Sequence, residues 1–524
     1  SHDALEQARL QVDIITGTAP LGRGYWLFDA LAVPGIHEML AINPGVEGVG
    51  AQLATDGRPT LLLPHELVTA KLLAAKRPSA ALPDFAMGMD LAKIRTLLAS
   101  RAGRLQGRKP TDPPFDFPMF RFRTDTFVEL RDHTAAPVAL YRGIPPAPKL
   151  DAKVLREAAL AGGRYLVAHL GKNGRYIYNH DVATGTQTDP NRVNGEYSMP
   201  RHAGTTYFLA ELYRITKADW LKEPIERAFA HLAELLANGR CTTTLPSGIA
   251  IDCVMDKSEQ LASLGSTALA VVALAEYQRA TGDTRYLPLA TKFASFILWM
   301  QRPDGSFRHL YDPKTKLYDD KTELLYYSGE AALALARMHV ITEDKRYAVG
   351  AEKALDWLVG WYDFFMGGFF YGEEHWTCIA SEAIWPTVSK PSYMDFCHGY
   401  GAFLRDQQSA VGEHPDEDDL AGAYNVTPFI TPYNTPAGSR TEAMISAYLL
   451  GRHRKAPDLA VREQIRAALA YVIGQQIRPE SDFNVVGSAD GGMPGSPIDR
   501  NVRIDYVQHV CSAMIRASEW IDEP

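Results

Sequence analysis

Six times along the chain a tight-turn string runs into an apolar segment dotted with Ala, Gly and Ser, and this recurrence constrains the fold most. The clearest starts are His202-Ala203-Gly204-Thr205, Leu264-Gly265-Ser266-Thr267, Ser328-Gly329-Glu330-Ala331, Ala380-Ser381-Glu382-Ala383 and Ser439-Arg440-Thr441-Glu442-Ala443. Arg503-Ile504-Asp505-Tyr506 is the least similar, sixth start. More charged amphipathic stretches precede most of them, at 220–236, 284–300, 345–358 and 459–473. Apolar and amphipathic helices alternating every ~50–60 residues predict stacked helical hairpins, none able to bury its face alone. Six hairpins can close into a ring, with small-residue helices inside, charged helices outside and one central cavity. The expected fold is therefore mostly α, an (α/α)6 toroid over residues 151–524 preceded by a small α/β domain over 1–145.

The first segment reads differently from the rest. Residues 45–53 and 58–63 read as a hairpin around Asp56-Gly57, followed by helical patterns at 65–75 and 89–102 and a strand-like run at 120–130. Gly45-Val46-Glu47-Gly48, Leu61-Leu62-Leu63-Pro64, Arg101-Ala102-Gly103 and Phe120-Arg121-Phe122-Arg123 resemble the AMMECR1-type domain, without a catalytic signature. Beyond residue 151, the connections into the apolar helices are long and repeat a glycine–aromatic theme. Examples are Asn173-Gly174-Arg175-Tyr176, Asp304-Gly305-Ser306-Phe307, Gly367-Gly368-Phe369-Phe370-Tyr371 and, more weakly, Gly491-Gly492-Met493. Alternate connections of an up-down ring share a face, so the long loops mark the functional side. The helix period, this loop asymmetry and the Gln301-Arg302-Pro303-Asp304-Gly305-Ser306-Phe307 turn resemble the (α/α)6-toroid superfamily of glycan-active enzymes. That superfamily includes unsaturated glucuronyl hydrolases, N-acylglucosamine 2-epimerases and inverting glycoside hydrolases. The resemblance implies a carbohydrate substrate and leaves the reaction open.

Aligned on their small residues, the inner helices put Glu330, Glu382 and Glu442 at one position near the mouth of the ring. Neighbouring helix axes lie about 8–10 Å apart, which overlaps the roughly 6.5–9.5 Å between the acid and base of an inverting glycosidase. A structural role competes for each glutamate: acids favour a helix's first turn, and Ser439 and Glu442 are spaced as a capping box. Arg201 and His202 begin one inner helix, offering a planar fork for a sugar diol or carboxylate and a proton-exchanging imidazole. Asp505 and His509, four residues apart, share a helix face with Arg503 nearby and form either an acid–base dyad or a buried ion pair. Tyr197, Tyr326, Tyr327, Trp376 and Tyr433, with Tyr176, Tyr178, Phe369 and Tyr371, give the mouth the flat faces that suit sugar rings. Asp252, Asp256, Glu259, Asp319, Asp320, Glu373 and Glu374 lie in the same loops.

The favoured expectation is an inverting glycoside hydrolase acting on an oligo- or polysaccharide. Glu330, Glu382, Glu442, Asp505 and His202 would be catalytic, and Arg201, Arg440, Arg503, Tyr197, Tyr326, Tyr327, Trp376 and His509 would bind substrate. Three cations at inner-helix starts hint at a uronate. The alternatives are a polysaccharide lyase or sugar epimerase using His and Tyr, and a non-catalytic glycan- or peptide-binding toroid. No cofactor is expected. Cys397-His398-Gly399 resembles the zinc motif of lanthionine cyclases, but Trp376-Thr377-Cys378-Ile379 departs from that family's pattern, so no metal is expected and Cys397 reads as a buried free thiol. Cys241 and Cys253 flank a short loop and read as two unrelated thiols, with a bridge as the alternative. A net charge of −8 over 524 residues and the lack of a basic stripe argue against nucleic acid, and no run of 18 apolar residues spans a membrane. Export is favoured over a cytoplasmic location, and the oligomeric state stays open.

Overall fold

The computed structural model describes the chain outside residues 1–8, 22–41, 54–56, 74–88, 106, 108–112, 114, 131–134, 193–195, 238, 246, 367–374, 413–417, 426–430, 480, 482–484 and 524. The expected turn residue Asp56, and Phe369, Tyr371, Glu373 and Glu374, lie outside the described residues. An antiparallel sheet forms the first unit, from strands β1 (Gln11–Pro20), β2 (Glu47–Ala51), β3 (Thr60–Leu62), β4 (Phe120–Val128) and β5 (Val138–Leu140). The strand order is β1-β4-β2-β3, with β5 also on β4, and Val49 of β2 faces Leu62 of β3. Two short helices, α1 (Pro64–Thr69) and α2 (Leu91–Arg101), accompany it. The unit is tied to the remainder through Arg142, which is 5% exposed and pairs with Asp419 at 2.9 Å, and through Lys71 to Asp181 at 2.8 Å.

Among the described residues twelve α-helices follow: α3 (Ala152–Ala168), α4 (Met199–Thr216), α5 (Lys222–Ala237), α6 (Leu264–Thr281), α7 (Leu287–Met300), α8 (Tyr327–Thr342), α9 (Lys345–Met366), α10 (Trp376–Ile384), α11 (Pro391–Arg405), α12 (Asn434–His453), α13 (Leu459–Gln475) and α14 (Ile504–Ala517). The even-numbered helices from α4 to α14 pack in succession, and α14 returns to α4, so the ring is closed. The odd-numbered helices lie outside. Burial separates the two sets as the pattern requires. Every residue of α6 from Leu264 to Tyr277 is buried, whereas α5 buries a stripe through Ile225, Ala228, Phe229, Leu232 and Leu235. Among the described residues no helix is long and apolar enough to cross a membrane.

Small residues let the inner helices approach. A Cβ on Gly438 of α12 would lie 2.7 Å from the Val510 backbone nitrogen of α14, and one on Gly204 of α4 would lie 2.8 Å from Gln508. The fourth and fifth inner helices begin earlier than their small residues suggest. α10 starts at Trp376 and α12 at Asn434, with Pro436 in its first turn, where a missing N–H costs nothing. Glu330 is thus the fourth residue of its helix, Glu382 the seventh and Glu442 the ninth. The three glutamates are not equivalent, and Ser439–Glu442 lies inside α12 rather than capping it.

The glycine–aromatic loops turn out to be docking devices. Gly174, Gly305, Gly422 and Gly491 all have positive φ, and a Cβ on each would overlap a backbone carbonyl of an outer helix, at Arg227, Lys353, Ala467 and Ala161. The following apolar residues, Tyr176, Phe307, Tyr424 and Met493, are buried. Three loops share a glutamine clip: Gln301, Gln408 and Gln476 each donate from Nε2 to the loop glycine's carbonyl and to an outer-helix carbonyl, at Gly350, Gln464 and Ala158. Gly305→Ala is expected to cost at least about 1–3 kcal/mol through the left-handed backbone alone, with the overlap adding to it. Gly282 has φ +76° but open space around it, so Gly282→Ala should cost clearly less in the same urea titration.

Two expectations about sulfur are corrected. Cys241 is bonded to Cys253, and Cys378 to Cys397, leaving Cys511 as the buried free thiol among the described cysteines. The second bridge ties inner α10 to outer α11, where helix packing brings the Cα atoms to 5.6 Å across 19 residues of sequence. Cys397 is therefore not free.

Candidate active site

A cavity of about 820 Å³ opens at the long-loop end of the inner helices. Arg201, Tyr326, Tyr327, Glu330, Trp376, Arg503, Asp505 and His509 line it, all anticipated from the sequence. Tyr433, Thr435, Ser439, Asp499, Tyr506, Gln508 and His375 line it too. His375 is the important omission: it immediately precedes α10, whose true start the small-residue alignment missed.

Asp505 is 5% exposed in the first turn of α14. Arg503 donates from Nε to Oδ1 at 2.6 Å, and Arg201 from Nε to Oδ2 at 3.0 Å. Burial alone would raise the carboxyl pKa, but Arg503 and Arg201 outweigh it and hold it below the usual carboxylate value. Asp505 therefore stays ionised at neutral pH and is unsuited to donating a proton. Both arginines that line the cavity share this one carboxylate.

The floor of the cavity carries a different group. Glu442 is fully buried and its Oε2 lies 2.7 Å from His509 Nδ1. A carboxylate only accepts, so Nδ1 carries the proton and Nε2 is left as the basic nitrogen. The His375 ring lies 5.0 Å from that of His509, edge to face, with Trp376 4.5 Å from His375. One nitrogen from each imidazole and a Glu442 oxygen fall within 4.8 Å of one another. Tyr326, held at φ +81°, packs its ring 5.8 Å from His375. Burial, then Glu330, raise the Tyr327 hydroxyl to about 12, so it acts as a hydrogen-bond donor.

Six anticipated residues lie elsewhere. His202 faces the outer helix α5: Nε2–H donates to the Ala228 carbonyl at 3.3 Å and Nδ1 accepts from the Tyr197 hydroxyl at 2.8 Å. That hydroxyl also accepts the Tyr176 N–H at 3.1 Å, so both rings are structural links between loop and helix. Arg440 is fully buried with its guanidinium 5.6 Å over the Tyr424 ring. Two residues along a helix turn about 200°, which sends Arg440 outward while Glu442 faces the bore. Glu382 lies 3.9 Å from Arg516. Tyr176 and Tyr178 are buried in the core rather than arrayed at the mouth.

Beneath the cavity the bore is filled by charge. Arg516 donates to Ser446 Oγ at 2.8 Å and to the Glu442 carbonyl at 3.3 Å, and lies 3.9 Å from Glu211. Glu276, fully buried, meets Arg214 at 2.7 Å and Arg279 at 2.5 Å. Burial opposes its ionisation, yet Arg337, Arg279 and Arg214 bring its pKa to about 2.

Several buried histidines make the fold acid-sensitive. Burial lowers His180, His231 and His309 to about 4, and His202 well below 6.5. A lowered histidine stabilises the fold above its unfolded pKa of ~6.5 and loses that contribution as pH falls toward the folded value. Between pH 6.5 and 5 each of the first three should forfeit about 1.5 kcal/mol. Urea midpoints are expected to fall steeply over this window; a flat profile would contradict neutral burial.

The closed ring of six helical hairpins defines an (α/α)6 toroid. No protein family matches the sequence, and no curated protein does. Among solved structures, a cellobiose 2-epimerase from Bacillus thermoamylovorans superposes with a TM-score of 0.51 at 13% identity, covering 70% of this chain and 98% of that chain. A D-mannose isomerase gives 0.49 at 11% identity, covering 70% and 97%. A family 76 glycoside hydrolase from Bacteroides thetaiotaomicron gives 0.48 at 9%, covering 76% and 84%. The first of these likenesses establishes the fold.

Proposed function

We propose that this chain is a carbohydrate-active enzyme of the epimerase or isomerase kind, moving a proton at the carbon beside a sugar's carbonyl. The observation that carries the reading is the pair of imidazoles on the cavity floor, one of them oriented by a fully buried glutamate. His509 Nε2 takes the proton from the carbon, and Glu442 supports the imidazolium that results. His375 serves as the second proton carrier, returning a proton to the carbon or to the neighbouring oxygen. Tyr326, Tyr327 and Trp376 supply apolar faces and hydroxyls for the ring. Arg201 and Arg503 share the single carboxylate of Asp505.

Hydrolysis by paired carboxylates has weaker support. Of its candidates, Asp505 is clamped, Glu442 serves His509 and Glu382 faces Arg516, which leaves Glu330 in the cavity wall. Two disulfides favour a location outside a reducing cytosol.

The test is incubation in D2O with mannose, glucose and cellobiose, and separately with an α-mannan. Loss of the C2 proton signal with appearance of the epimer or ketose supports the reading. New reducing ends from the polymer, with no deuterium entering any sugar, would sink it in favour of hydrolysis.

A further inference from the structure

The same floor group has the composition of a metal site. We propose that His375, Glu442 and His509 bind one zinc-class divalent cation, and that the bound cation shuts the cavity's proton chemistry off. The binding stands on geometry alone; the inhibition rests on the epimerase reading above.

Two neutral imidazoles and a carboxylate are a borderline donor set, matched to Zn2+ or Co2+ rather than to Mg2+ or Ca2+. The three donor atoms lie within 4.8 Å of one another. Ligands on a tetrahedral zinc at about 2.0–2.1 Å are spaced roughly 3.3 Å apart, so closure needs side-chain movements of about 1.5 Å at most. A second observation points the same way. Glu442 is fully buried, and while Oε2 engages His509, Oε1 has no hydrogen-bond partner among the described residues. A buried carboxylate oxygen left without a donor is costly, and a cation is the partner it lacks. The fourth coordination position would face the cavity that His375 and His509 line.

Entry of the ion at His509 Nδ1 displaces the proton shared with Glu442, which passes through solvent to Nε2, so the imidazole stays neutral. Nε2 then bears the hydrogen and has no lone pair left to take a substrate proton, while the ion also holds a ring nitrogen of His375. Zinc and sugar would therefore exclude one another.

The probe is Co2+, added to chelator-treated full-length protein. The expected result is a visible d–d band of tetrahedral intensity that saturates at one equivalent and is bleached by Zn2+. His375→Ala, His509→Ala and Glu442→Gln should each weaken cobalt binding by about 10–100-fold or more. Where a variant does not fold, quenching of Trp376 replaces it: its ring is 4.5 Å from His375 and 5.9 Å from His509. Cobalt should quench the wild type measurably more than folded Trp376→Phe. A wild type without a stoichiometric band up to millimolar cobalt overturns the proposal, as does a band and quench indifferent to all four substitutions. Cobalt binding in a protein that exchanges no sugar proton would leave the site standing and remove the epimerase reading. Exchange that persists at saturating zinc would remove the inhibition.

Discussion

His509→Asn is expected to lower the turnover of sugar-proton exchange by about 10²–10⁴-fold, with KM changed little. The asparagine amide keeps a donor for Glu442, so the buried carboxylate is not orphaned, but no basic nitrogen remains where Nε2 stood. A fall in kcat at constant KM marks an interaction made in the transition state, not in ground-state binding. His375→Asn should be comparably damaging if two carriers are used. If both variants exchange protons at the wild-type rate, the imidazole pair is not the proton path. Asp505→Asn is the contrast: it loosens Arg201 and Arg503, so it should act on substrate binding and stability before chemistry.

The largest stability effect is expected at the bottom of the bore. Arg516→Met removes a buried cation from between Glu211, Glu382 and the Glu442 carbonyl. Burial already raises the Glu211 pKa, and Arg516 is the foremost influence pulling it back. Breaking one side of a buried ion pair costs about 3–5 kcal/mol, enough to be seen as a large shift of the urea midpoint. Adding Glu211→Gln to Arg516→Met should recover part of that loss, because the stranded charge goes with it. A single variant as stable as the parent would show that water, not Arg516, satisfies these acids.

The ring was legible because its helices need small residues where they touch, and Gly204, Gly265 and Gly438 advertise those contacts. The site was legible only in part, and for a related reason. An inner helix is buried on every side, so hydrophobic periodicity no longer tells which face meets the cavity and which meets the outer ring. Arg201 and His202 are neighbours in sequence, yet one lines the cavity and the other is locked onto the Ala228 carbonyl. Arg440 and Glu442 divide in the same way. His375 was missed because the Trp376–Ile379 run has no small-residue signature, so the helix it introduces was read as starting late. Nothing in the spacing of Cys378 and Cys397 announces a bridge, because the contact between α10 and α11 is purely tertiary.

The seam of the ring joins its first outer helix to its last inner one. α3 packs on α14, and the backbone N–H of Ala152 donates to Asp522, 370 residues away. The strand at 179–181 likewise completes its sheet only with 499–503. Five inner helices can stack on one another as they leave the ribosome, but the seam must wait for α14, the sixth. Until then α3 has its apolar stripe exposed beside an unfinished arc. Loss of the last helix should therefore do more than shorten the protein. It should leave an open, sticky crescent dependent on chaperones.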